Sequence, residues 1–218
     1  MNENLQRLRI TFAKGENLRY ISHLDLANTW ERALRRSGMP LAYSQGFHPH
    51  PKIVFAAALA VGFTSSADLV DVTLTQAIPP RQVIHGLSPQ LPDGLTVLDV
   101  TPIYVRAPAL PTLLHGADYE NEIESEQALE DMQAQCQALL ARESISRTFR
   151  RKTYDLRPLI DSLEVVAGKG RYPVARMQLA AGGRGTGRPT EVLDELGWAD
   201  CSHHYHRKKL RLGSVDKS

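Results

Sequence analysis

Three histidines are the first residues in this sequence that could carry out acid–base or metal chemistry. His23 begins a helical pattern, and His48 and His50 alternate in a Pro-rich stretch, where residues two apart face the same side. Imidazole exchanges protons near neutral pH and binds metal ions. The His-Pro-His spacing is not a known zinc motif, however, and no HExxH motif accompanies it. The sequence therefore predicts no metal ion or other cofactor, and it leaves open a catalytic role for His23, His48 and Lys52.

Residues 43–52, YSQGFHPHPK, bring together the side chains that hold a phosphate and stack on a base. We predict that this stretch and residues 22–36 form one binding surface, although Phe47 alone would also suit a core. The predicted binding residues are Ser22, His23, Asp25, Arg32, Arg36, Tyr43, Ser44, Gln45, Gly46, Phe47, His48 and Lys52.

A glycine-rich stretch, AGGRGTGRP, occupies residues 181–189 directly before a predicted helix. Its glycines would let backbone N–H groups approach an anion, and Arg184 and Arg188 would supply bidentate donors. It lacks the Lys-Ser/Thr ending of a P-loop and the register of a dinucleotide site. The two open interpretations are a phosphate-contacting loop and an ordinary flexible loop.

Basic and aromatic residues alternate in residues 147–154, a pattern that suits single-stranded nucleic acid. The same pattern occurs in the tail, residues 203–209. The histidines at 203, 204 and 206 could also bind metal adventitiously. Residues 144–188 hold ten Lys or Arg against three acids, whereas residues 118–131 hold seven acids and no Lys or Arg. The predicted nucleic-acid contacts are Arg147, Arg150, Arg151, Lys152, Arg157, Arg184 and Arg188, with Phe149 and Tyr154 beside them. The alternative is that the acidic stretch neutralises these charges within the molecule.

The elements that position these residues follow the order strand, helix, strand, strand, helix, strand. Strands are predicted over residues 5–13, 39–44, 68–75 and 95–104, with a break at 64–66. The apolar run 53–61 is expected to be buried, and residues 53–59 within it could form a further, buried strand. Ser22 and Gly38 bound one helix, and Pro79 with Pro80 opens another through Leu87.

The same order recurs weakly after a Pro-rich linker at residues 107–111. Strands are predicted over residues 113–123, 171–180 and 205–212, with at least one more within 153–166. Helices are predicted over 126–142, capped by Ser125, and from Pro189 to Leu196. The fold class is therefore α+β, with two ferredoxin-like (βαββαβ) units in tandem, at residues 1–106 and 112–218.

Two cysteines, Cys136 and Cys201, indicate a reducing compartment and cannot hold an iron–sulfur cluster. The N-terminus has no signal-peptide pattern, and no apolar stretch reaches 18 residues. We expect a cytoplasmic protein with no membrane partner.

Residues 12–74 resemble a radical-SAM-associated family, domain of unknown function 2344. The matching positions are Phe12, Lys14, Tyr20, Ser22, His23, Asp25, Arg32, Arg35, Arg36, Pro40, Tyr43, Ser44, Gly46, Phe47, Pro49, Pro51 and Lys52. The second half resembles it at Asp155, Arg157, Arg188, Pro189 and Glu191. The resemblance implies a free-standing member of a family that is otherwise fused behind a cobalamin-binding radical SAM protein.

Three functional hypotheses follow. The first is a non-catalytic RNA-binding accessory protein that acts with a separate radical SAM protein, because two cysteines cannot supply the three ligands of its cluster. The second is a metal-independent endoribonuclease that resembles CRISPR repeat-processing enzymes in architecture alone. The third is a protein–protein adaptor that docks the radical SAM partner through the acidic residues 118–131.

Overall fold

The computed structural model describes residues 5–201 and 204–213. The chain divides into two compact units, one that runs to Leu113 and one that comprises Leu114–Gly213. Each unit has its own apolar core.

The first unit is an antiparallel sheet with two main helices. Its elements are β1 (Gln6–Lys14), α1 (His23–Arg36), β2 (Ile53–Phe55), β3 (Phe63–Leu74), α2 (Pro80–Leu87), β4 (Leu95–Ile103) and α3 (Leu110–Leu113). The strand order is β4-β1-β3-β2. The core-facing row of β1 alternates as predicted, with Leu8, Ile10 and Phe12 buried against the helices.

Helix α1 begins and ends where the sequence predicts. The Ser22 hydroxyl accepts a hydrogen bond from the Asp25 amide at 3.1 Å and donates to the Asp25 carboxylate at 2.7 Å. After the last turn Gly38 takes a φ of +71°, which favours glycine. The predicted apolar stripe is confirmed, because Leu26, Trp30, Ala33 and Leu34 are all buried.

Three local predictions in the first unit are wrong. Residues 39–44 form only isolated bridges, at Leu41 and Tyr43, instead of a strand. The apolar run 53–61 is a strand only as far as Phe55, and Val61 at its end is 55% exposed. Residues 64–66 continue β3 instead of interrupting it. In each case pairing with a neighbouring strand, which a single sequence does not reveal, decides the outcome.

The second unit combines an antiparallel sheet, two helices and a separate hairpin. Its elements are β5 (Leu114–Glu122), α4 (Leu129–Leu140), β6 (Ser146–Phe149), β7 (Lys152–Asp155), β8 (Ile160–Val166), β9 (Val174–Ala180), α5 (Pro189–Glu195) and β10 (His204–Leu212). The sheet order is β10-β5-β9-β8, and β6 pairs only with β7. Helix α4 begins three residues later than predicted, because the Ser125 hydroxyl accepts from the Gln127 amide instead of capping a helix at 126.

The α+β class is confirmed. Within the described ranges, no helix combines the length and the apolar character needed to span a bilayer.

Candidate nucleic-acid interface

The first candidate surface is a loop of the first unit, residues 43–52, called here the Phe47 loop. Backbone groups close it: the Ser44 amide donates to the His50 carbonyl at 2.8 Å, and the His50 amide donates to the Ser44 hydroxyl at 3.0 Å. The Lys52 amide donates to the Ala42 carbonyl at 2.8 Å. These hydrogen bonds hold the two ends of the loop together, and the residues between them extend into solvent.

The tip of the Phe47 loop presents an aromatic ring to solvent. Phe47 is 101% exposed, and Gly46 before it adopts a φ of +128°, a conformation that L side chains rarely adopt. Gln45, His48 and Lys52 are also exposed. The loop contains no acidic residue, and Lys52 forms no ion pair within the described part of the chain. These side chains can therefore contact a base and a phosphate without first leaving a protein partner.

The contacts of His23 and Tyr43 do not bring residues 22–36 and 43–52 together into the single surface that the sequence predicts. The His23 ring packs edge-on against Phe55, with ring centroids 5.3 Å apart, at the start of α1. Tyr43 instead lies under the Arg35 guanidinium at 5.8 Å, in the last turn of the same helix. A helix of 14 residues is about 21 Å long. The two motifs therefore lie at opposite ends of α1.

This separation also bears on the candidate acid–base groups. His23 belongs to the Phe55 end of α1, whereas His48 and Lys52 belong to the loop at the Arg35 end. The geometry does not assemble these three side chains into one site. Arg32 and Arg36 lie toward the C-terminal end of α1, where Arg36 is the last residue, and both line a groove next to Gln90.

The second candidate surface is the β6–β7 hairpin of the second unit, residues 146–155, called here the arginine hairpin. Phe149 pairs with Lys152, so the turn consists of Arg150 and Arg151 alone. Both turn residues have positive φ, +47° and +69°. Two-residue hairpin turns of this kind favour Asn-Gly, and a side chain other than glycine is strained there. Two arginines therefore occupy turn positions at which Asn and Gly are usually found.

The tip of the arginine hairpin is cationic and largely unpaired. Arg150, Arg151 and Lys152 are exposed, and among the described residues none of the three forms an ion pair. The Arg150 guanidinium lies 5.3 Å from the centre of the Phe149 ring. These three cations can therefore meet phosphates directly.

An aromatic and cationic cluster clamps the base of the hairpin to α5. The Arg188 guanidinium lies 3.7 Å from the centre of the Phe149 ring and donates to the Tyr154 hydroxyl at 3.0 Å. That hydroxyl in turn donates to the Glu191 carboxylate. Burial, followed by the bond to Glu191, raises the pKa of Tyr154 to about 12, so the phenol stays protonated at neutral pH. Arg188 and Glu191 thus support the hairpin.

Arg147 is a second clamp between the hairpin and α5. Its guanidinium binds Glu195 at 2.8 Å and also pairs with Asp194, and the bond to Asp194 raises the Arg147 pKa. Arg142 joins the same carboxylate of Glu195 at 2.7 Å. The prediction that Arg147 is a nucleic-acid contact is not supported, because two carboxylates already engage it.

The TYDLRPLI segment fastens the other side of the hairpin. The Asp155 carboxylate accepts from the amides of Ile145 at 2.8 Å and Arg157 at 3.0 Å. Hydrogen bonds from these two amides, the Ile145 one first, lower the pKa of Asp155. Arg157 donates to the carbonyls of Leu140 and Ile160, at 2.9 and 3.1 Å. Arg157, which the sequence predicts to contact a phosphate, therefore hydrogen-bonds backbone carbonyls of its own unit.

The glycine-rich loop serves packing more than anion binding. The Gly187 amide donates to the Ala180 carbonyl at 2.9 Å, and a Cβ on Gly187 would come within 2.9 Å of the Leu159 carbonyl oxygen. Gly182, with a φ of +77°, leaves still less room, because its Cβ would lie 2.1 Å from the Leu114 carbonyl. Arg184 pairs with Asp161 at 3.1 Å. The Gly187 amide and the Arg184 guanidinium, both predicted to help cradle a phosphate, therefore already have partners within the protein.

The charged strands of the second unit largely neutralise one another. Lys209 pairs with Asp118, and Lys208 and Arg176 pair with Glu120. A groove of about 500 Å³ on this unit includes the carboxylates of Glu120 and Glu122 in its lining, which disfavours a polyanion. The alternative of internal neutralisation therefore holds for the β10 tail.

The predicted histidine cluster of the tail lies partly outside the described residues, since His203 is not among them. His204 and His206 are in β10. In the described part of the chain, no three His, Cys, Asp or Glu side chains are placed to hold a metal ion.

Lys14 is a buried charge whose burial the sequence argument missed. It is 1% exposed, and its ammonium donates to the carbonyls of Arg19 at 3.2 Å and Phe63 at 3.1 Å. Asp68, 3% exposed, lies opposite Phe12 in the β1–β3 register, and Lys14 lies opposite Ser65. The available signal was the alternation of β1, because Lys14 continues the buried row of Leu8, Ile10 and Phe12.

Residues 7–189 match a protein family described as an uncharacterized protein conserved in bacteria, DUF2344. Because this match covers most of the 218 residues, the chain belongs to that family, and the family part of the resemblance is confirmed. A comparison with the curated proteins finds no match.

Several solved structures are similar in fold. The chain resembles a chain of a Cbf5–Nop10–Gar1 complex with 10% identity and a TM-score of 0.50, over 94% of this chain and 48% of that one. An archaeal box H/ACA sRNP Nop10–Cbf5 complex gives 11% identity and a TM-score of 0.47, over 98% and 49% of the two chains. The chain therefore spans about half the length of the solved chains that it matches, and at this identity the likeness concerns the fold alone.

Proposed function

We propose that this member of the DUF2344 family is an RNA-binding accessory protein with no catalytic activity of its own. The observation that carries the proposal is the tip of the arginine hairpin, where Arg150, Arg151 and Lys152 are exposed and form no ion pair in the described part of the chain. The neighbouring arginines Arg147 and Arg188 engage carboxylates of α5, so they hold the tip in place.

RNA fits this surface better than a protein partner does. Three adjacent cations without acid partners suit the closely spaced charges of a nucleic-acid backbone, and binding there releases counterions. In the first unit, and independently of the hairpin, the Phe47 loop exposes a ring that is 101% accessible and can stack on an unpaired base. Unpaired bases are typical of RNA loops and ends, where most sequence-specific recognition by proteins takes place.

We further propose that a separate, cobalamin-binding radical SAM protein is the partner that supplies chemistry. This part rests on the family resemblance of residues 12–74 and on composition. Two cysteines, Cys136 and Cys201, are one fewer than the three thiolates that such a cluster requires. The RNA-binding surface would then present the substrate to that partner.

We also infer that both units are ferredoxin-like. The strand order β4-β1-β3-β2 of the first unit supports this, as does β10-β5-β9-β8 in the second unit. In the second unit the arginine hairpin would then be an insertion between α4 and β8, added to a complete βαββαβ unit.

Filter binding of tRNA and of total RNA at increasing salt tests the function. We expect binding that weakens with salt, and the triple variant Arg150→Ala/Arg151→Ala/Lys152→Ala should lower the slope of log K against log salt by about 2–3. The matched control removes three other exposed cations that lack ion pairs within the described ranges, Arg81, Arg106 and Lys169. It should leave binding near the wild-type value. The proposal fails if RNA does not bind at low salt, or if both triple variants weaken it equally.

The same samples test the alternatives. RNA cleavage in EDTA that His23→Ala or His48→Ala abolishes would replace the proposal with an endoribonuclease. Capture of a radical SAM protein that survives nuclease and high salt, without RNA binding, would favour an adaptor.

A further inference from the structure

A shallow groove of about 450 Å³ runs along α1 in the first unit, next to the segment that precedes β4. This volume lies within the range of ordinary small-molecule sites. Arg32 and Arg36 line one side, and Leu18, Leu91 and Pro92 line the rest together with Thr29 and Gln90. The groove therefore has a cationic side and an apolar side.

Gln90 fixes one of the two arginines. The Arg36 Nη2 donates to the Gln90 carbonyl at 2.6 Å, and its Nε lies 3.4 Å from the Gln90 side-chain oxygen. These bonds hold the guanidinium at the groove and leave Nη1 for a ligand. An arginine held in this way loses little freedom when it binds, which favours affinity.

The other arginine has no partner in the described part of the chain. Arg32 forms no hydrogen bond or ion pair there, and it lies one helical turn from Arg36, so both side chains lie on the same face of α1. Arg35 is not part of the groove lining, because it pairs with Glu31 at 2.6 Å and lies over Tyr43. None of the described residues that line the groove carries a carboxylate. Two adjacent guanidinium groups without a carboxylate are suited to a phosphate.

We infer that this groove binds a nucleoside monophosphate, either free or as the phosphorylated end of an RNA chain. The phosphate would lie against Arg32 and Arg36, and the base would cover the apolar wall of Leu18, Leu91 and Pro92. The inference goes beyond the proposed function, because it uses no residue of the arginine hairpin or of the Phe47 loop.

Isothermal titration of the full chain with the four nucleoside 5′-monophosphates tests this site. We expect binding of at least one of them, and a loss of about tenfold or more in the Arg32→Ala variant, since a hydrogen bond to a charged group is removed. Arg35→Ala is the matched control, because it removes an arginine of the same helix outside the groove, and it should change affinity less than about twofold. Melting curves check that each variant is folded.

Further arms identify the ligand. Adenosine and inorganic phosphate should each bind more weakly than the monophosphate, and equal binding by either one would overturn the inference. A 5′-phosphorylated oligonucleotide that competes better than its unphosphorylated form would identify an RNA end, whereas competition by neither form would identify a free nucleotide. Equally strong competition by both forms would overturn the inference. The hairpin triple variant should keep its nucleotide affinity. The inference is wrong if no monophosphate binds at millimolar concentration, or if Arg32→Ala binds as wild type.

Discussion

The Phe47 loop and the arginine hairpin expose similar side chains, but different interactions hold them in place. Hydrogen bonds donated by the backbone amides of Ser44, His50 and Lys52 shape the loop and leave its ring and its cation unengaged in the described part of the chain. Ion pairs between side chains shape the base of the hairpin, so only its tip remains unpaired within that part. Aromatic and basic residues that are neighbours in sequence therefore indicate a binding surface only where no Asp or Glu of the same unit forms an ion pair with the basic residues.

The energetic reason is competition. Arg147 would have to leave Glu195 and Asp194 before it could bind a phosphate, and a carboxylate left partly buried without its partner is destabilising. Arg151 has no such cost, because no described acid engages it. Variants of the hairpin and of the loop can separate cations that bind RNA from cations that stabilise the fold.

Replacing the strained turn should separate binding from stability. In Arg150→Asn/Arg151→Gly, RNA affinity should fall on the order of 10- to 100-fold near 0.1 M salt, because two phosphate contacts are lost. The free energy of unfolding should rise by up to about 1 kcal/mol, because Asn-Gly adopts positive φ with little strain. Filter binding and urea unfolding measure the two quantities. A variant that binds RNA as tightly as wild type would assign binding elsewhere, and Arg81→Ala/Arg106→Ala controls for the lost charge.

Removing the exposed ring should weaken binding without a change in stability. Phe47→Ala should lower RNA affinity by about 5- to 10-fold, which corresponds to the lower part of the range of about 1–3 kcal/mol that stacking on one base contributes. Its melting temperature should not change, because the ring is fully exposed. Phe47→Tyr keeps an aromatic face and should retain most of the affinity. Equal losses in both variants would show that stacking is not the interaction.

Removing Arg147, which joins the hairpin to α5, should lower stability without weakening RNA binding, the opposite of the result expected for Phe47→Ala. Arg147→Ala should lower the free energy of unfolding by about 1 kcal/mol, since the side chain is partly buried and pairs with two carboxylates. RNA affinity should change less than about twofold. Urea unfolding and filter binding on the same sample check both. A large loss of affinity with unchanged stability would move Arg147 into the binding surface.

The smallest effect concerns pH. The folded pKa of Asp155 lies below its ordinary value of 3.8, because the Ile145 and Arg157 amides bind the ionised form. Its stabilising contribution is therefore complete above that value and is lost as the pH falls through the lower, folded pKa. Asp155→Asn should lose that part of the acid dependence. Thermal unfolding between pH 2 and 6 measures it, and identical pH profiles for variant and wild type would contradict the prediction.

Local signals in the sequence predicted much of the framework. Ser22 with Asp25 predicted the start of α1, and the alternation of β1 predicted its buried row, since both depend on neighbours within one element. The sequence did not predict that Arg147 would meet Glu195, because pairing across 48 positions depends on tertiary packing. Nor did it predict positive φ at Arg150 and Arg151, since the usual turn residues are absent. The sequence therefore predicted the residue types of the candidate site. It did not predict which of its cations form ion pairs within the protein.

The arginine turn also has a consequence for proteolysis. Three consecutive basic residues, Arg150, Arg151 and Lys152, form a cleavage site for trypsin-like proteases at an exposed tip. A two-residue turn does not fit an extended protease cleft, so cleavage requires the hairpin to open first, and its rate reports the population of that open form. A ligand that covers the tip would therefore be detected as slower cleavage at this one place in the sequence.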